Sequence, residues 1–209
     1  MNMTCSLIIQ NINYYNTYYS LYKLIGLGYD FVNMNREVRS MQRQVMIKQL
    51  SSVEDNIEEL TDLLVDVVND GASIGFLPPL TKEESRAYWD GVIQEDVRCL
   101  VIIENERVAG TVQLHVCMKK NGLHRAEIAK LMIHPSARRR GYGRKLLDAA
   151  ETCAREDKRT LIVLDTRDGD PSNLLYQSHG YLFAGQIPYY ARSETGELDA
   201  TNYYYKLLK

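Results

Sequence analysis

Residues Ala137-Arg-Arg-Arg-Gly-Tyr-Gly-Arg-Lys-Leu-Leu147 follow the run Lys130-Leu-Met-Ile-His-Pro-Ser136. An apolar run, a glycine turn and then a helix-periodic apolar stretch read as strand, loop and helix. That order leaves unpaired backbone N–H groups at a helix N-terminus, where the helix dipole adds partial positive charge. A phosphate is the natural ligand. Gly141 and Gly143 leave room for its close approach, and Arg138, Arg139, Arg140 and Arg144 add charge around it. A dinucleotide loop would need a third glycine at position 146, which is Leu146, and a Walker loop would need Gly-Lys-Ser/Thr, which is absent. A solvated basic helix start is the plain alternative. A nucleic-acid patch is disfavoured because the positive charge does not continue onto neighbouring elements.

Outward from this stretch the pattern stays regular. Upstream, residues 44–50 read as a strand, and residues 52–71 as an amphipathic helix. Its apolar face is Ile57, Leu60, Leu63, Leu64, Val67 and Val68, with Gly71 as the stop. Residues 71–80 (GASIGFLPPL) form a loop, and Thr81 caps a second helix over 82–95 with Glu84 in the capping-box position. Residues 98–116 give two strands around an Asn105-Glu106 turn, and residues 124–135 a strand ended by Pro135. Downstream of the glycine loop come a helix burying Leu146, Leu147, Ala150, Cys153 and Ala154, a strand over 160–166 and a short helix over 172–179. Strands over 180–188 and 201–209 finish the chain. The order β, α, α, β, β, β, α, β, α, β, β implies an α/β domain around one mixed sheet.

Composition narrows the function classes. The 209 residues carry a net charge of −2, so any basic site is local and the protein as a whole is not marked for nucleic acid or a membrane surface. Cys5, Cys99, Cys117 and Cys153 are widely spaced with no CxxC pair, which fits a reducing cytoplasm and argues against a structural metal. No apolar run is long enough to span a bilayer, and the first residues lack a signal-peptide pattern. Residues 1–40 are unlike the rest, rich in Asn, Tyr and Ile without clean periodicity. They read either as a docked helix over 13–25, or as an extension upstream of a true start at Met41 or Met46, leaving a domain over 41–209.

Arg138-x-x-Gly141-x-Gly143, after an apolar strand and opening a helix, resembles the acetyl-CoA pyrophosphate loop of the GNAT acetyltransferase superfamily. A second signature lies in Asn173-Leu-Leu-Tyr-Gln-Ser-His-Gly-Tyr181, where Asn173, Tyr176, Gly180 and Tyr181 match the family pattern, although only two residues separate Asn173 from Tyr176. The likeness runs from about residue 46 to the C-terminus and is greatest to the tabtoxin-resistance type.

The resemblance implies a GNAT fold: a single mixed, mostly antiparallel sheet with a splayed central strand pair, flanked by helices. It implies acetyl-CoA as co-substrate and no metal. Leu131, Met132 and Ile133 would offer backbone groups to the pantetheine arm, and the amides from Arg139 through Tyr142 to Arg144 would hold the pyrophosphate. Asn173 and Tyr176 would line the far side of the cofactor. The acceptor would be a small-molecule amine, amino-acid-like or toxin-like, which suggests detoxification. Glu127 is the implied base, Asp165 a second carboxylate facing the same cleft, and Tyr176 the acid that protonates the departing sulfur. Acceptor contacts would come from 71–80, Trp89 and 186–196. Cys117, with His115 as its base, is the weaker covalent alternative. A protein N-terminal or lysine acetyltransferase and a non-catalytic acetyl-CoA-binding module are the rival functions, and monomer and homodimer both remain open.

Overall fold

The computed structural model describes residues 44–208. The segment over 1–40, its helix over 13–25 and the start at Met41 therefore lie outside the described residues. Seven strands form one sheet in the order β1-β2-β3-β4-β5-β7-β6: β1 Val45–Gln49, β2 Val97–Glu104, β3 Arg107–Val116, β4 Arg125–Ile133, β5 Leu161–Arg167, β6 Leu182–Arg192 and β7 Leu198–Leu207. Every neighbouring pair is antiparallel except β4 and β5. Among the described residues four α-helices flank the sheet: α1 Ile57–Asn69, α2 Lys82–Asp90, α3 Tyr142–Glu156 and α4 Ser172–Ser178. Among the described residues no helix is long and apolar enough to cross a membrane.

Helices α1 and α2 cover one face of β2, β3 and β4. The apolar stripe of α1 is buried from Ile57 to Val68, against Cys99, Val101, Val108, Met132 and the fully enclosed Trp89. Gly71, at φ +88°, ends α1 in a Schellman motif, with its own N–H on Val68 O and that of Ala72 on Val67 O. Thr81 caps α2 in a complete capping box with Glu84. Helix α2 stops at Asp90 rather than running to residue 95. Gly91 ends it, and Val92 turns into the core. The opposite face of the sheet packs on α3 and α4, with Leu146, Leu147, Ala150 and Ala154 against Leu100, Val112, Leu114, Ile162 and Leu164.

The ladder between β4 and β5 is short. Arg125, Ala126 and Glu127 pair with Leu161, Ile162 and Val163, and no pair follows. On its other side β4 carries a bulge. Ala129 faces Gln113 and Met132 faces Thr111, so Lys130 and Leu131 together oppose Val112. The two strands part there, as the resemblance implied. Because backbone groups of a strand point alternately to its two sides, half of those in Ile128–Ile133 are left facing the gap.

Candidate active site

Two walls and a floor make the site. The first wall is the turn into α3. Among the described residues none of the amide N–H groups of Arg139 through Arg144 has a hydrogen-bond acceptor; the first in the helix to find one is Lys145, on Gly141 O. These donors cluster at the positive end of a 15-residue helix beside the open edge of β4. The two glycines serve different ends. Gly141 sits at φ +78° with open space where a side chain would stand, so backbone handedness requires it. A Cβ on Gly143 would lie 3.0 Å from Leu175, so there the requirement is close approach of α3 to α4.

The arginines divide as the sequence did not reveal. Arg138 forms an ion pair with Asp70 at the end of α1, and Arg140 reaches Glu104 Oε2 at 2.6 Å and Ser136 O at 2.7 Å. Both act as struts fixing the loop against the sheet. Arg144 donates to Ser178 Oγ at 3.0 Å, tying α3 to α4. Arg139, at φ +62°, has no side-chain partner among the described residues and remains available to an anion.

The second wall is α4. Asn173 is buried, and its amide donates to Arg167 O and Asp170 O while its oxygen accepts from Asn202 and the Tyr204 hydroxyl. All its hydrogen-bonding capacity goes to fixing the start of α4 on β5 and β7. Tyr176, three residues on, packs edge-on against Tyr181 and beside Tyr204. Its hydroxyl has no hydrogen-bond partner among the described residues. Burial pushes the phenol far above its ordinary pKa, and Asp165 and Asp170 add to the effect. The phenol is therefore neutral.

The floor is the part of the sheet that α1 and α2 leave bare. Glu127 lies opposite His115 on β3 and Val163 on β5; Asp165, two residues beyond Val163, shares that face and sits opposite Tyr203 on β7. Both carboxylates are exposed. The protein packed around Asp165 raises its pKa, and the nearby Lys130 ammonium opposes that. Lys130 and Tyr203 here escaped sequence reading, whereas Tyr190 falls in the 186–196 stretch. Lys130 is half-buried at the bulge, and its ammonium donates to Ile74 O at 2.7 Å. Tyr203 and Tyr190 share a 2.9 Å hydroxyl contact, and that bond, with burial, lifts Tyr203 to about 12.

Trp89 has no exposed surface and belongs to the core, so it cannot line an acceptor pocket. The recess beside the floor is instead lined by Gly71, Ser73, Phe76, Arg167, Arg192 and Glu194, from the 71–80 loop, the end of β5 and the β6–β7 hairpin. His115 is bonded to Gln113, whose amide is held by the Tyr88 hydroxyl, and makes no bond to Cys117. Cys117 lies instead by Arg125, whose guanidinium is 3.7 Å from the sulfur.

Solved structures share this architecture. The ribosomal-protein-alanine N-acetyltransferase from Brucella melitensis is 19% identical, with a TM-score of 0.67 over 78% of this chain and 99% of that one. A candidate acetyltransferase from Salmonella typhimurium, solved with its cofactor acetyl-CoA, is 18% identical, with a TM-score of 0.66 over 79% and 94%. A candidate phosphinothricin N-acetyltransferase is also 18% identical, at 0.65 over 79% and 99%. At this identity the likeness speaks for the fold. The family model goes further, spanning residues 62–181 from α1 through the glycine loop to Tyr181, and on that match the chain belongs to the acetyltransferase (GNAT) family.

Proposed function

We propose that residues 41–209 form an N-acetyltransferase that moves acetyl from acetyl-CoA directly to the amine of a small, amino-acid-like molecule, acting in the cytoplasm in detoxification. The observation that carries this reading is the run of unpartnered amides from Arg139 to Arg144, set beside the gap between β4 and β5. A pyrophosphate on those amides would direct a thioester into the gap, where the backbone groups of Leu131, Met132 and Ile133 that face away from β3 can bind an amide-rich arm.

The side chains supply the proton chemistry. A lysine-like amine has a pKa of ~10.4, so near neutral pH only on the order of one molecule in a thousand is the free base. Glu127, with Asp165 beside it, takes that proton directly or through water. The amine nitrogen then bonds to the thioester carbon, and a backbone N–H of β4, that of Ile133, holds the oxyanion. When the C–S bond breaks, Tyr176 donates its proton to the departing sulfur. The carboxylates and the phenol belong to opposite faces of the sheet, so base and acid reach the reacting carbon from opposite sides of the gap.

The test is calorimetric titration of residues 41–209 with acetyl-CoA, followed by thiol release across a panel of amines and amino-acid analogues. Binding with acceptor-dependent release, lowered ~100-fold or more in Glu127→Gln, is the expected result. Binding without release from any acceptor would favour a sensing module. Release with peptide amines alone would move the assignment to a protein acetyltransferase. Absence of binding would refute the reading of the loop.

A further inference from the structure

Lys130 stands in a backbone conformation that lysine seldom adopts. Its φ is +51°, at the bulge where β4 turns away from β5. The left-handed conformation is unfavourable for a residue with a side chain and persists only where the surroundings enforce it. What the geometry achieves is a crossing. The side chain leaves β4 and reaches the 71–80 loop, where the ammonium donates to Ile74 O at 2.7 Å and sits 5.7 Å from the centre of the Phe76 ring. The loop is shaped to receive it: Gly75 is at φ +88°, and a Cβ there would come within 3.2 Å of Nζ.

The charges around that ammonium all belong to the floor of the site. Glu127 faces it from its own strand and Asp165 from β5, while His115 on β3 senses its field from the far side of Glu127. The loop contributes a carbonyl and an aromatic ring. Tyr203 on β7 lies within the field of both carboxylates. One half-buried cation thus serves as counter-charge to both candidate bases and as the tether of the loop beside the acceptor recess.

We propose that Lys130 is a positioning residue of the acetyl transfer, tying the seating of the Ser73–Phe76 loop to the Asp165 carboxylate on the neighbouring strand. The proposal rests on the acetyltransferase reading above. With Lys130 in place Asp165 keeps its counter-charge and the loop stays docked. Without it Asp165 holds its proton to higher pH and the loop loses its anchor. An entering ammonium would meet Lys130 as a like charge, so the same residue favours the free-base form of the acceptor.

Two readouts need neither acceptor nor acetyl-CoA: carboxyl ¹³C titration of Asp165 by NMR, and amide exchange of Ser73–Phe76. In Lys130→Met the Asp165 carboxyl should titrate at higher pH than in the wild type, and the loop amides should exchange at least tenfold faster. The acid limb of kcat/KM should move up in pH with the Asp165 titration. Lys130→Arg, which keeps charge and donors, should return all three toward wild type. Asp165→Asn offers the reciprocal test through a different residue, and should speed loop exchange because the anchor loses its counter-charge. A Lys130→Met protein with wild-type Asp165 titration and loop exchange within twofold would overturn the proposal, as would a Lys130→Arg protein as impaired as Lys130→Met. A wild-type protein that binds acetyl-CoA yet transfers acetyl to nothing would instead remove the underlying reading, whatever the titration shows.

Discussion

Under the proposed mechanism the hydroxyl of Tyr176 matters to chemistry and little to folding. Its ring fills a place between Tyr181 and Tyr204, while its hydroxyl bonds to nothing among the described residues. Removing that oxygen forfeits no hydrogen bond and opens no appreciable cavity. Tyr176→Phe should therefore keep the thermal midpoint of the wild type within 1–2 °C while kcat falls on the order of 100-fold. Stopped turnover together with intact melting would be the signature of a lost acid. An unchanged kcat would give Tyr176 a packing role only. Asn173 is the opposite case, since all its hydrogen bonds hold α4 in place and its loss would be felt first as instability.

At the scale of elements, the glycine loop and α3 were legible because each local signal agreed with its neighbour: a strand, a turn residue at Gly141, then a stripe from Leu146 to Ala154 that is buried as its spacing requires. Gly71 and Thr81 punctuate α1 and α2 where their chemistry says they should. Other features depend on partners far away in the chain. The strut role of Arg138 needs Asp70, 68 residues away, and that of Arg140 needs Glu104, 36 residues away, and no local pattern announces either. The bulge at Lys130 was hidden because no glycine marks it. β6 ran past Pro188 to Arg192 because an edge strand bonds on one side only and tolerates proline, with the register shift between Ile187 and Ala191 absorbing the irregularity. Gly110 carries a prediction here. A Cβ on it would lie 2.5 Å from Met132 O and 2.6 Å from Ile133 Cδ1, at the end of β4 beyond its parting from β5. Gly110→Ala must push β4 toward the gap, so urea unfolding should show a loss of about 1–3 kcal/mol and calorimetry a weaker hold on acetyl-CoA. Equal affinity in the variant would mean that the width of the gap is not critical.

For the molecule as a whole, pH acts through two histidines that burial keeps neutral. His115 and His179 both have pKa values lowered from the ordinary histidine value of 6.5, with burial the largest cause in each; for His179 it outweighs the carboxylates of Glu151 and Asp148. The unfolded chain therefore binds their protons more readily than the folded one. Stability from this source is complete above about pH 6.5 and declines as the pH falls through the interval below it. Thermal scans between pH 7.5 and 5.5 should show a falling midpoint, and His115→Gln should flatten part of that slope. A midpoint constant over this range would contradict the assignment.

The three-residue ladder between β4 and β5 has a mechanical meaning. Parallel strands this briefly joined leave the sheet as two panels sharing a short seam, β1 to β4 on one side and β5 to β7 on the other. Few bonds hold the seam itself. Around it, Arg167 reaches Gly71 O, and Lys206 and His179 meet Glu151 on α3. A ligand with peptide-like amides lying in the gap would pair with the edge of β4 and stand in for the ladder that the chain omits. The seam would then be bonded along its length, and such a ligand should raise the melting midpoint by binding the folded chain alone.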